Sequence, residues 1–167
     1  MTECSRSKFG RYYTKPVIGQ TLVDLMNLRQ PAGLIDLGVG GGSLTVAAAR
    51  RWSNLNLLTI DVDPASNRRL SKLLAREEIG SHLHLHADAL EPSLAGLVRE
   101  EFGKADAAVC NPPFTTPIWR AGFDEILEES GFSGCMPVLA DSDSALLFLS
   151  QALRLLGQGA TLGIILP

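Results

Sequence analysis

Short apolar runs alternate with helix-length stretches along the whole chain, and that alternation leaves few folds open. The runs are Leu34–Leu37, Leu55–Ile60, Ser81–His86, Ala105–Cys110 and Ala160–Pro167. Helical spacing fills the intervals. Pro16 suits a first helical position with Thr14 as a nearby cap, and Ile18, Leu22, Leu25 and Met26 then share one face until Gln30-Pro31-Ala32-Gly33. Asp63 and Pro64 read as N-cap and first residue of a helix carrying Leu70, Leu73 and Leu74. Further helices are expected over Pro92–Glu101, Phe123–Glu129 and Ser142–Leu156, the last with Leu146, Leu149, Leu153 and Leu156 on one face and stopped by Gly157-Gln158-Gly159. Strands and helices alternating five times imply an α/β fold with a parallel sheet and right-handed crossovers. Residues 1–167 are read as one domain, without internal repeat or linker.

Ligands of such sheets lie outside the carboxyl ends of the strands, so the residues at those ends carry the functional reading. The first strand runs into Gly38-Val39-Gly40-Gly41-Gly42-Ser43 and then a helix. A glycine-rich turn of this kind lets backbone approach a ligand closely, although it also occurs in α/β proteins without one. Against the dinucleotide pattern G-x-G-x-x-G, the third glycine falls on Ser43, which favours a nucleoside without a pyrophosphate over NAD. Asp61 closes the second strand, where an acid can accept two hydrogen bonds from ribose hydroxyls; Asp63 is read as a cap. Asp88 follows the third strand and suits either an adenine amino group or the cap of the next helix. His82, His84 and His86 share one face of that strand. Their spacing of roughly 6.5–7 Å and the lack of a nearby carboxylate or cysteine favour a polar face of an outer strand over a metal site, so no metal is expected.

The fourth strand ends in Asn111-Pro112-Pro113-Phe114. Proline lacks the N–H and pushes the preceding residue to an extended conformation, so the chain here is held rigid with an amide side chain and free carbonyls beyond the strand. Phe114 adds an aromatic face. Acceptors beside a stacking platform suit a planar group bearing an NH2; a proline-rich turn is the plain alternative. Cys110 is read as a small buried residue. The irregular stretch after Phe114 offers Trp119 and Arg120 for stacking on or pairing with a substrate, or as solvated loop residues.

Composition sets outer limits. Hydrophobic content of 46% with 20% charged residues describes a soluble globular protein without a signal-peptide core. Cys4, Cys110 and Cys135 are odd in number and widely spaced, which argues for a reducing, cytoplasmic setting and against disulfides or a cysteine-rich zinc site. A net charge of −3 is not that of a self-sufficient nucleic-acid binder, so electrostatic grip on such a substrate has to come from elsewhere.

Taken in order, these motifs resemble the amino-methylating, S-adenosylmethionine-dependent DNA methyltransferases of the adenine-N6 class. Arg11-Tyr12-Tyr13-Thr14-Lys15-Pro16 is similar to that family's N-terminal aromatic-Thr-Pro motif, with Lys15 interrupting the Thr-Pro step. Asp36-Leu37-Gly38-Val39-Gly40-Gly41-Gly42 is similar to its glycine motif, Asp61 to its ribose acid, Asp88 to its adenine-reading residue and Asn111-Pro112-Pro113-Phe114 to its catalytic tetrapeptide. The resemblance spans about Phe9 to Pro167 and implies a Rossmann-like class I methyltransferase fold with strand order 3-2-1-4-5 and helices on both faces. It implies a cofactor site of Tyr13, Thr14, Asp36, Gly38, Gly40, Gly42, Asp61, Asp88 and Asn111, and a substrate site of Pro113, Phe114 and Trp119. Catalysis falls to Asn111, Pro112 and Phe114: the Asn111 oxygen and the Pro112 carbonyl accept the two hydrogens of an adenine amino group flipped out of the DNA duplex, and Phe114 stacks on the base. Restriction-modification is the implied setting. The family adds further strands and a target-recognition region that are not in this sequence, so a fragment, a truncated chain or one completed by a partner subunit is expected. RNA bases and protein glutamine amides are the alternative substrates, and a silent cofactor-binding subunit the alternative outside catalysis.

Overall fold

The computed structural model describes residues 13–135 and 143–166. Arg11 and Tyr12 of the N-terminal motif, Cys4, and Pro167 lie outside them, as does the stretch 136–142. The strands are β1 (Gly33–Leu37), β2 (Leu55–Asp61), β3 (Ile79–His86), β4 (Ala105–Cys110) and β5 (Leu156–Ile164). They form one sheet in the order β3-β2-β1-β4-β5, every pair parallel, as expected. The helices are α1 (Pro16–Leu25), α2 (Ser43–Arg51), α3 (Ser66–Leu74), α4 (Leu94–Glu101), α5 (Phe123–Glu129) and α6 (Ser144–Leu155).

Strand periodicity sorts the core into two layers. Ile35, Leu37, Leu58, Ile60, Ala108 and Cys110 meet α4, α5 and α6 on one face. Leu34, Leu55, Leu57, Ala107 and Val109 meet α1 and α2 on the other. Because both faces are covered, all five residues of β1 are buried, Asp36 included. No helix among the described residues is long and apolar enough to cross a membrane.

Four details depart from the sequence reading. Helix α1 buries Gly19 and Val23; of the expected apolar face, Leu22 and the C-cap Met26 pack against the core while Ile18 and Leu25 are exposed. The reason is close approach to α2: a Cβ on Gly19 would lie 3.0 Å from the Ser43 carbonyl, so the helix turns its smallest residue inward. Helix α3 starts at Ser66, and Asp63 instead closes the preceding turn by accepting from Ala65 N at 2.9 Å. Helix α6 buries Leu147, Phe148, Ser150, Gln151 and Leu155 and leaves Leu153 exposed. Its inner face was hidden by a glutamine whose side chain donates to Glu91 O at 2.9 Å. Finally, Gly157-Gln158-Gly159 do not end a helix but lie within β5, where a register shift opposite Ala105–Ala107 absorbs them. Helix α6 does have a true N-cap: Asp143 accepts from Leu146 N at 2.8 Å. Asp143→Ala is expected to lower unfolding free energy by about 1 kcal/mol, read by urea denaturation.

Candidate active site

The carboxyl ends of the strands carry a connected set of side chains. Beyond β1, Gly38, Gly40 and Gly42 all have φ between +55° and +84°. At Gly40 a Cβ would meet nothing within 4 Å, so this glycine serves the left-handed turn and leaves open space above it rather than relieving a clash. Asp61, buried at the end of β2, accepts from Gly40 N at 2.8 Å and from Asp63 N at 2.8 Å. The acid at the second strand end therefore fixes the glycine turn at the first.

The lead-in segment crosses over this turn. A Cβ on Gly41 would lie 3.0 Å from the Tyr13 ring, so the tyrosine lies against the loop. Thr14 O accepts from Ser43 Oγ at 2.7 Å, and Thr14 Oγ1 accepts from Asn111 Nδ2 at 2.8 Å. One threonine thus ties the start of α2 to the end of β4. It is not the cap of α1, a position held by Lys15 without a side-chain bond.

That tie orients the Asn111 amide. With Nδ2 engaged by Thr14, Oδ1 is left buried and without a hydrogen-bond partner among the described residues. Pro112 is buried beside it, Pro113 half-buried and Phe114 exposed. A second orphan acceptor is Asp36 Oδ1; the other carboxylate oxygen of Asp36 takes the Thr45 hydroxyl. Burial, with a smaller contribution from the charge of Asp61 and against the Thr45 bond, pushes the Asp36 carboxyl up to about 7. Cys110 is buried and its thiol is pushed up by burial, which suits packing and not nucleophilic attack.

Asp88 lies at the end of β3, half-buried. Its Oδ1 accepts from Leu90 N at 2.9 Å, the turn role, while Oδ2 accepts from Arg120 Nη2 at 2.7 Å. Arg120 also donates to Leu90 O at 3.1 Å and lies 5.1 Å from the Phe123 ring centroid. Trp119 packs edge-on against Phe123, centroids 5.5 Å apart, so its ring belongs to the rim of the core and is not a free stacking platform. Sequence reasoning missed the Arg120–Asp88 pair and the Asp36–Thr45 bond. Arg120 lies 32 residues from Asp88 in an irregular loop, and no local pattern marks such a pairing.

Solved methyltransferase structures share this fold. A modification subunit of a candidate type I restriction enzyme from Vibrio vulnificus superposes with a TM-score of 0.62 at 17% identity, over 92% of this chain and 33% of that one. Two curated enzymes are similar in sequence. The tRNA1(Val) (adenine(37)-N6)-methyltransferase of Vibrio vulnificus is 28% identical over 82 residues, or 48% of this chain. The rRNA N(6)-adenosine-methyltransferase metl-5 of Caenorhabditis elegans is 29% identical over 139 residues, or 81% of this chain. The chain spans 31% and 63% of their respective lengths. No family model matches.

The residues present fit S-adenosylmethionine on an observation independent of those likenesses. Two buried acceptors, Asp36 Oδ1 and Asn111 Oδ1, have no donor among the described residues. A ligand with an ammonium group and a substrate with an amino group would each supply one.

Proposed function

We propose that the chain is the cofactor-binding and catalytic part of an S-adenosylmethionine-dependent methyltransferase acting on the exocyclic N6 of adenine in nucleic acid. The observation that carries this reading is the buried Oδ1 of Asn111, which the Thr14 bond leaves without a donor among the described residues. When bound, the cofactor supplies a methyl group on a positively charged sulfur that departs as a neutral thioether. The protein's task is then orientation, because an exocyclic amine is a weak nucleophile with its lone pair delocalised into the ring. Asn111 Oδ1 and the Pro112 carbonyl accept the two amine hydrogens and hold the nitrogen lone pair toward the methyl. Phe114 stands next in the chain as the aromatic side chain beside the base, which has to leave any duplex to arrive there. Tyr13, Thr14, Asp36, the glycine turn and Asp61 line the cofactor side, and Asp88 meets the cofactor's adenine with the lone pairs left over from Leu90 N and Arg120.

RNA is the substrate this reading favours, on the strength of the two sequence relatives, both named for RNA adenines. DNA, the substrate implied by the N-terminal Tyr13-Thr14 motif, is the second reading; Thr14 reaching Asn111 keeps it in play, as does the restriction-type neighbour. In either case the acidic balance of the chain calls for a recognition domain or partner subunit to hold the polyanion. Tritiated methyl transfer onto unmodified RNA, unmethylated DNA and protein glutamine in parallel tests this: label on RNA adenine is expected. Label on DNA adenine alone would replace RNA with DNA, and label on glutamine alone would overturn the nucleic-acid reading. Calorimetry with S-adenosylmethionine is expected to show binding that weakens at least tenfold in Asp61→Ala, which loses both the ribose acceptor and the bond to Gly40 N. Unchanged binding in that variant would remove Asp61 from the site.

A further inference from the structure

The histidine face of β3 is not explained by the site as described. His82 and His84 point toward α3, in register with Leu57 and Thr59 of β2. Thr59 Oγ1 lies 2.8 Å from His82 Nε2 and 2.9 Å from His84 Nδ1. The far nitrogen of His84, Nε2, lies 3.0 Å from Ser66 Oγ, and Ser66 Oγ lies 2.6 Å from Asp63 O. His86 Nε2 is 3.0 Å from Val62 O.

Proton accounting allows one arrangement of this chain when both imidazoles are neutral. A carbonyl cannot donate, so the short Ser66–Asp63 contact requires the Ser66 proton. Ser66 then accepts from His84, which places the His84 proton on Nε2 and leaves Nδ1 an acceptor. Thr59 has a single proton, and of its two possible acceptors, the Leu83 carbonyl at 3.4 Å and His84 Nδ1 at 2.9 Å, the closer His84 Nδ1 takes it; its oxygen therefore accepts from His82 Nε2–H. Burial lowers both imidazoles below their ordinary value, helped at His82 by the charge of His84 and, at His84, opposed by Asp61 and helped less by His86.

Two of the histidines reach the β2–α3 turn. His86 holds the Val62 carbonyl, and His84 holds the Asp63 carbonyl through Ser66. Asp63 N in turn donates to Asp61 Oδ1, while the Asp63 side chain is tied to Ala65 N and Arg69. We propose that His84 is a positioning residue: through Ser66 it braces the turn whose Asp63 amide aims the Asp61 carboxylate. This rests on the methyltransferase reading in so far as Asp61 contacts the cofactor.

The test is made on the full chain. Long-range proton–nitrogen NMR on the ligand-free protein near pH 7 is expected to find His84 and His82 as Nε2–H tautomers, and to find His84 released to a mixture in Thr59→Val. A His84 carrying its proton on Nδ1 overturns the chain of bonds. In calorimetry, His84→Ala and Ser66→Ala are each expected to weaken S-adenosylmethionine binding about five- to tenfold, with the double variant no worse than either single one. His84→Gln, which keeps a donor, is expected to recover most of the loss, and turnover at saturating cofactor is expected to stay within twofold throughout. Cofactor binding unchanged in Ser66→Ala, or losses that add, overturn the inference while leaving the enzyme reading intact. Failure of the unaltered chain to bind S-adenosylmethionine removes both.

Discussion

Asn111→Ala is expected to cut methyl transfer about 10²–10³-fold at saturating cofactor, the scale of losing one preorganised polar group at a reacting centre. Cofactor affinity is expected to change far less, since the glycine turn and Asp61 are held by each other and not by Asn111. Stability gives an independent signature. Oδ1 is a buried acceptor without a donor among the described residues, an arrangement that costs about 1–3 kcal/mol. Alanine removes that oxygen and loses only the bond to Thr14, whose hydroxyl is half-buried beside Ser43. The variant should therefore unfold at the same or a slightly higher urea concentration while being nearly inactive. A side chain kept for the fold would behave the opposite way, losing stability and activity together. Single-turnover methylation and urea titration on the same preparation separate the two; retention of activity within tenfold would take the amide out of the chemistry.

What the sequence made legible follows from where the chain obeys one rule at a time. β1, β2 and β4 are short and apolar between turn signals, and the parallel order follows once helices are seen between them. The motifs at the strand ends could be listed from the sequence because the fold itself assigns those positions to ligands. Helix faces were less legible. In α1 only part of the expected apolar face packs, and the choice is made by Gly19 meeting Ser43, a contact 24 residues away. In α6 the inner face carries Gln151, because a satisfied polar side chain can be buried without looking apolar. The remaining surprises are side-chain bonds across elements. Asp36–Thr45, Asp88–Arg120 and the Thr59–His84–Ser66 chain have no period to betray them. The alternation of His82, His84 and His86 correctly placed a polar face on an edge strand but could not say that it would grip the neighbouring turn.

Asp36→Asn is expected to stabilise the fold at neutral and alkaline pH and to have little effect below about pH 4. Asp36 is fully buried on the α2 side of β1, and its carboxyl is pushed up from 3.8 to about 7, first by burial. The sign follows from proton counts. Between those two values the native state keeps a proton that the unfolded chain releases, so unfolding free energy falls as pH rises. Stability tied to the protonated carboxyl is complete below about pH 4 and lost by the time pH passes about 7. One proton gives a slope of at most about 1.4 kcal/mol per pH unit, and the window sets an upper bound of about 4 kcal/mol. Asparagine mimics the protonated acid: its oxygen can accept the Thr45 hydroxyl, and no charge is buried at any pH. Urea titrations of the two proteins should accordingly converge below about pH 4 and separate by a few kcal/mol at pH 8, the variant being the more stable. The same substitution removes the anion proposed to face the cofactor's ammonium group, so S-adenosylmethionine binding should weaken at least tenfold. A natural carboxylate that costs the fold this much is understandable if a ligand cation recovers the cost; a variant that is more stable and binds as well as the original would make Asp36 a brace for α2 and nothing more.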